Sequence, residues 1–263
     1  MALEEKTAPT VSVIIPCYNG AAHIQEAITS VLSQSYGDLE AIVVDDCSSD
    51  DSVDILKGIE AEDSRVKVYI QPENRGVAMA RNCALSHASG RFIAYLDSDD
   101  LWMEQKLEQQ LAFMMANGCA ACFTSYETIE EDGAFRNVVH VPERINYRQF
   151  LKNTVTCSHT VMFDTKVIDR RLLEMPDLRR GQDFATWLQV ARAGYDFFGF
   201  DVPLAKNRKR PGSLSSNKIK AIKRTWHVYR SVEHLSVPYA AWCQCWHLAY
   251  AIAKRTKKGK QEL

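Results

Sequence analysis

The sequence predicts an α/β domain built on a mainly parallel central sheet. Short apolar runs alternate with helical patterns through the first half of the chain, and four such runs fall within its first hundred residues. The 263 residues are 46% hydrophobic and 25% charged, a globular balance with enough chain to bury one substantial core.

Taken in order, Val11 to Ile15 reads as the first strand and Ala21 to Ser33 as the first helix. Leu39 to Val44 is the second strand. Ser49, Asp50 and Asp51 then supply the cap and the N-terminal acid of a helix reaching Ile59. Val66 to Ile70 is the third strand, Gly76 to Ala88 is helical, and Phe92 to Leu96 is the fourth strand. Trp102 to Ala116 reads as an amphipathic helix with Leu107, Leu111 and Met114 on one stripe. Cys119 to Phe123 reads as a strand, which sets Cys119 and Cys122 on opposite faces and argues against a zinc or redox pair. The eight cysteines show no paired framework and are expected as free thiols. Beyond residue 125 the pattern loosens. Glu127 to Asn137 is a polar loop or hairpin, and a helix from Asp183 to Ala193 precedes an aromatic strand, Tyr195 to Phe200. There is no internal repeat and no low-complexity tract.

Charge is divided unevenly. Residues 201–263 carry 14 Lys/Arg against 3 Asp/Glu, while residues 1–200 carry 18 against 30. An acidic front suits a metal. A basic tail suits phosphates or an anionic surface, or is a solvated face. The stretch Val237 to Ala253 is almost wholly apolar, with Tyr239, Trp242, Trp246 and Tyr250, and is followed by Lys254, Arg255, Lys257, Lys258 and Lys260. It is short for a membrane span, which takes about 20 residues, so the expectation is an interfacial helix over 237–260, or one packed on the core or on a second subunit. Met1 to Thr10 contains Glu4 and Glu5 and no apolar run of signal-peptide type, which predicts a cytoplasmic protein.

In an open α/β sheet, ligands gather beyond the carboxyl ends of the strands. The first strand ends in Pro16-Cys17-Tyr18-Asn19-Gly20, the second in Asp45-Asp46-Cys47-Ser48-Ser49-Asp50, and the fourth in Asp97-Ser98-Asp99-Asp100. Three carboxylates within four residues repel one another, and a divalent cation is their usual compensation. An exposed acidic turn opening the next helix fits the same four residues. Tyr18 can stack on a base or pack in a turn, and Arg81 can reach phosphate or lie on the surface.

In this order, Val-Ile-Ile-Pro-x-Tyr-Asn, Val-Val-Asp-Asp-x-Ser-x-Asp, Asn74-Arg75-Gly76 with Ala80-Arg81-Asn82, and Gly90-Arg91-Phe92 leading to Leu96-Asp97-Ser98-Asp99-Asp100, the motifs resemble family 2 of the inverting glycosyltransferases. The likeness is dense over residues 11–116 and resumes at Gly181-Gln182-Asp183. It implies a GT-A fold: a mixed sheet flanked by helices, a catalytic domain over 1–212 and a helical C-terminal extension over 213–263. The donor half would span about 11–116 and the acceptor half about 117–212. It also implies roles. Tyr18 and Asp46 hold uracil, with Pro16 and Asn19 beside them; Asp45, Arg81 and Ser98 help to position the nucleotide sugar. Asp97 and Asp99 form a D-x-D pair for Mn²⁺ or Mg²⁺, and Asp100 shares the metal or the acceptor pocket. Asp183 is the catalytic base.

Two positions depart from the family. Gln182 replaces the usual Glu, and Arg210 stands where relatives carry a His before Gly212-Ser213-Leu214-Ser215. An arginine cannot ligate a metal, but its fork can bind a diphosphate.

The resemblance implies transfer of a hexose from a UDP-sugar to a glycan or polyprenyl-diphosphate-linked acceptor, with inversion, at the inner face of a bacterial cell membrane. It implies no nucleic acid, and allows a homodimer. A non-catalytic nucleotide-sugar-binding subunit and a sugar nucleotidylyltransferase remain alternatives. A dinucleotide oxidoreductase lacks its G-x-G-x-x-G after the first strand.

Overall fold

The computed structural model describes residues 9–152, 156–209 and 218–256. Four parallel units come first: β1 (Val11–Cys17), α1 (Ile24–Leu32), β2 (Leu39–Asp45), α2 (Ser52–Glu62), β3 (Val66–Ile70), α3 (Val77–His87) and β4 (Phe92–Tyr95). Every residue of β1 and β2 is buried, as expected for parallel strands covered on both faces. Helix α1 buries Ile24, Ala27, Ile28 and Val31, one stripe at helical spacing.

The second half supplies β5 (Leu101–Trp102), α4 (Lys106–Asn117), β6 (Ala121–Ile129), β7 (Phe135–Val139), β8 (Arg144–Ile145), α5 (Tyr147–Phe150), β9 (Val161–Asp164), α6 (Gln182–Arg192) and β10 (Phe197–Arg208). The C-terminal extension follows as α7 (Lys218–His227), a π-helical turn at Val228–Val232 and α8 (Val237–Thr256). The strand order is β3-β2-β1-β4-β9-β6-β10-β5, with β7 on β6 and β8 on β10. From β3 to β4 all pairings are parallel; β9 then runs antiparallel to both β4 and β6. The expected mixed sheet flanked by helices is therefore present.

Three expectations change. Trp102 does not begin a helix: it pairs with Ala205 of β10 and donates its indole N–H to the His159 carbonyl at 2.8 Å, so the helix starts only at Lys106. The stripe Leu107, Leu111 and Met114 is buried as read. Cys119 precedes β6, so strand alternation does not separate it from Cys122. The aromatic strand runs on to Arg208, because register shifts on either side of Pro203 let it continue beside β6. The polar stretch from Glu127 is a hairpin, β6 to β7.

Helix α4 also buries a cation. Lys106 is fully buried, its Nζ 4.3 Å from the Trp102 ring centroid and 2.6 Å from Gln110 Oε1. Burial pushes its pKa down to about 7. An unfolded lysine titrates near 10.4, so between roughly pH 7 and 10 the unfolded chain binds more protons and stability rises with pH. Lys106→Met should flatten that rise by up to about 1.4 kcal/mol per pH unit. Urea melts at pH 7, 8 and 9 check this; parallel slopes for the two proteins would refute it.

Candidate active site

The rim above β1, β2 and β4 is assembled by carboxylates that hold loops. Asp46 is buried, and its two oxygens accept the Arg75 and Gly76 N–H groups at 2.8 and 2.7 Å. Gly76 takes φ 90°, a conformation suited to glycine, so the turn can present its N–H to Asp46 and open α3. Asp45 is also buried and accepts from the Ser48 N–H at 2.8 Å and from its hydroxyl. Asn19 Oδ1 accepts the Ser49 N–H and the Asn19 N–H donates to Ser48 Oγ, both at 2.8 Å. The two loops are thereby stitched together. Pro16 lies buried within β1 opposite Val44, whereas Tyr18 is half exposed beside the stitched loops. Among the base- and ribose-binding residues expected from the sequence, only Tyr18 and Asn19 present exposed side chains here; Asp45 and Asp46 build the frame under them.

Arg81, on α3, is almost fully buried. Its Nη2 is paired with Asp97 Oδ1, and Nη1 lies 3.7 Å from Met175 Sδ. Burial opposes its charge, but the Asp97 and Asp183 carboxylates outweigh that and hold the guanidinium above its ordinary pKa. One cation thus pairs with the first carboxylate of the D-x-D motif and feels the charge of the carboxylate at the start of α6. Asp183 is partly buried, stands in the first turn of α6, and accepts the Phe184 N–H at 2.8 Å. Gly181 before it has φ 81°.

Asp97, Ser98 and Asp99 are partly exposed, and Asp100 is buried. The Asp100 carboxylate accepts the Arg208 N–H at 2.8 Å, the Asn207 amide at 3.1 Å and the His159 ring, whose Nδ1 is 2.6 Å away. Burial alone would raise its pKa; the charge and hydrogen bond of His159 prevail and hold it low. Asp97, Asp100 and His159 bring ligand atoms within 4.8 Å of one another, a group able to hold a metal. Sequence reading missed His159, which sits far from the motif in a buried turn, Ser158–Thr160, with nothing local to mark it. The residues fit a divalent cation to different degrees. Asp97 and Asp99 retain solvent access, while both oxygens of Asp100 already have protein partners. Arg210 lies outside the described residues.

The C-terminal extension packs behind this motif. A Cβ at Gly181 would lie 2.9 Å from Arg224 Cγ of α7, and Phe184 stacks on His247 of α8 with centroids 6.0 Å apart. Ala240 and Cys243 face inward, while Tyr239, Trp242 and Trp246 are exposed. Among the described residues no helix is long and apolar enough to cross a membrane.

Comparison with known proteins agrees with this architecture. Residues 12–173 match the model of "Glycosyl transferase family 2". The chain is 44% identical over 248 residues to the "Putative teichuronic acid biosynthesis glycosyltransferase TuaG" of Bacillus subtilis, covering 94% of this chain and 98% of that one. It is 38% identical over 222 residues to the "UDP-Glc:alpha-D-GlcNAc-diphosphoundecaprenol beta-1,3-glucosyltransferase WfgD" of Escherichia coli, covering 83% and 84%. Among solved structures, TarS 1-349 of S. aureus, crystallised with UDP-GlcNAc, superposes with a TM-score of 0.71 at 22% identity, over 91% of this chain and 71% of that one, a likeness of fold. With its motif order, its mixed sheet and these relatives in agreement, the chain belongs to the family 2 glycosyltransferases and has the GT-A fold.

Proposed function

We propose that this enzyme transfers a hexose from a UDP-sugar to a hydroxyl of a lipid-linked glycan, with inversion, in bacterial cell-surface polysaccharide synthesis. The observation that carries the reading is the cluster of acids at the strand ends, where Arg81 pairs with Asp97 and feels the charge of Asp183 at the start of α6. The names of the relatives, a teichuronic acid enzyme and a glucosyltransferase acting on a diphosphoundecaprenol-linked sugar, support the donor and acceptor classes. Residues 11–116 then form the donor half and 117–212 the acceptor half.

In this mechanism Tyr18 stacks on the uracil above the loops that Asp45, Asp46 and Asn19 hold in place. Asp183 takes the proton of the acceptor hydroxyl as that oxygen attacks the anomeric carbon and the bond to UDP breaks, which inverts the centre. Negative charge grows on the leaving diphosphate. Asp97 and Asp99 would hold Mn²⁺ or Mg²⁺, which stabilises that charge when bound. Arg210 would approach the same phosphates. Asp183→Asn should lower transfer on the order of 10³-fold and leave UDP affinity within a few-fold, because a proton acceptor is lost and the donor site is not. Steady-state assays with UDP-glucose, and UDP titrations beside them, test this; near-normal turnover would remove Asp183 from the role. Asp99→Ala should abolish the tightening of UDP binding by Mn²⁺ in calorimetry, and wild-type activity that survives excess EDTA would eliminate the metal.

The exposed face of α8 supports docking on the inner face of the cell membrane. Tyr239, Trp242 and Trp246 are rings of the kind that settle at the headgroup level, and the cationic run from Lys254 follows in the sequence. The opposite face of α8 is the one packed on Phe184, so docking would leave the support of the base undisturbed. Full-length protein should float with phosphatidylglycerol vesicles at low salt, and Trp242→Glu with Trp246→Glu should not. A wild-type protein that stays at the bottom as a dimer would instead assign this face to a second copy.

A further inference from the structure

We infer that His159 is a positioning residue of the donor site, which with Asp100 clamps the Asp97–Asp100 turn to the end of β10; the inference rests on the donor-site reading above. His159 is 1% exposed, and its side chain makes one hydrogen bond among the described residues, Nδ1 to Asp100 Oδ2 at 2.6 Å. Its Nε2 is buried with no hydrogen-bond partner among them, and the Tyr126 ring meets the imidazole edge-on with centroids 5.4 Å apart. A buried imidazole with one polar contact is committed to that contact.

The contact closes a three-way joint. Asp100 also takes the Arg208 N–H and the Asn207 amide, and Arg208 Nε donates to the Asp99 carbonyl at 3.1 Å. Arg208 reaches on to the Glu131 carbonyl at 2.8 Å and to Glu26 Oε2 at 2.7 Å. The His159 carbonyl accepts from the Trp102 indole, two residues beyond Asp100. The backbone of Asp99 and the side chain of Asp100 are thus fixed against β10 and the Ser158–Thr160 turn, while Asp97 and Asp99 keep their solvent access. The same joint fixes the end of β10 at Arg208. His159 therefore acts on the donor through the placement of the turn.

The test is Mn²⁺-dependent binding of UDP, followed by calorimetry with thermal melting of each variant. His159→Leu keeps similar bulk without a donor, and should weaken UDP binding in Mn²⁺ by about tenfold or more, as loss of a supporting hydrogen bond does at metal sites. His159→Asn places an amide N–H near the Nδ1 position and should recover most of that loss. His159→Gln places its amide near Nε2 and should not. A role in packing alone predicts equal affinities for the Asn and Gln variants, and that result overturns the inference even if the Leu variant fails to fold. A folded Leu variant with unchanged UDP affinity does the same. Wild-type protein that binds no UDP with Mn²⁺ overturns the donor-site reading, and this inference with it.

Discussion

An ionised carboxylate withdrawn from water must be given donors or an opposite charge, or its burial costs several kcal/mol. The carboxyl ends of β2 and β4 carry Asp45, Asp46, Asp97, Asp99 and Asp100, and α6 adds Asp183. The loops of the rim are arranged by how these acids are satisfied. Asp45 is met by Ser48, Asp46 by two backbone N–H groups at the start of α3, and Asp100 by Asn207, the Arg208 N–H and His159. Asp45 closes its own loop, whereas the Asp46 and Asp100 solutions each join segments distant in sequence, so desolvation of these acids and rigidity of the rim have one cause. Asp97 and Asp183 draw on a single guanidinium, Arg81.

The same economy extends to the C-terminal helices. The position before Gln182 needs a left-handed backbone and no side chain, since Gly181 has φ 81° and Arg224 fills the space a Cβ would take. Tyr147 and Arg192 both bond the buried Glu233 carboxylate, at 2.6 and 3.2 Å, which ties the extension to α5 and α6. The extension is thus a support for the segment bearing Asp183, and its exposed aromatic face is the surplus left after that packing is satisfied. The sequence reading had set an interfacial helix against a packed one. The structure gives α8 a packed face, and its other face remains exposed.

What could be read in advance follows from the range of the forces involved. Strands β1, β2 and β4 announce themselves as short continuous apolar runs, and helix α1 by its periodic stripe, because both signals are local. The rim motifs were legible as residues but not as partners. The expected nucleotide contacts of Asp45 and Asp46 said nothing of their partners in the protein: Asp45 is held by Ser48 in its own loop, and Asp46 by N–H groups some thirty residues away. Trp102 carried a helical pattern and became a strand because Ala205 and the His159 carbonyl, both far along the chain, outbid a helix start. His159 itself had no local signal, since its meaning lies wholly in Asp100. Gly90 and Arg91 belong to the motif that revealed the family, yet their work is structural: a Cβ at Gly90 would lie 2.7 Å from Ser12 N, and Arg91 forms a two-pronged pair with Asp164.

The departure at Gln182 bears on the same constraint. The position is 7% exposed, and a glutamate there would place a further buried charge beside Asp183, where Arg81 already answers to two acids. Glutamine removes that charge and keeps an acceptor: its Oε1 is buried and has no hydrogen-bond partner among the described residues. With Gln182 in place of Glu, Asp183 is the one acid in the first turn of α6, and the charge of Arg81 acts there with no second buried carboxylate beside it.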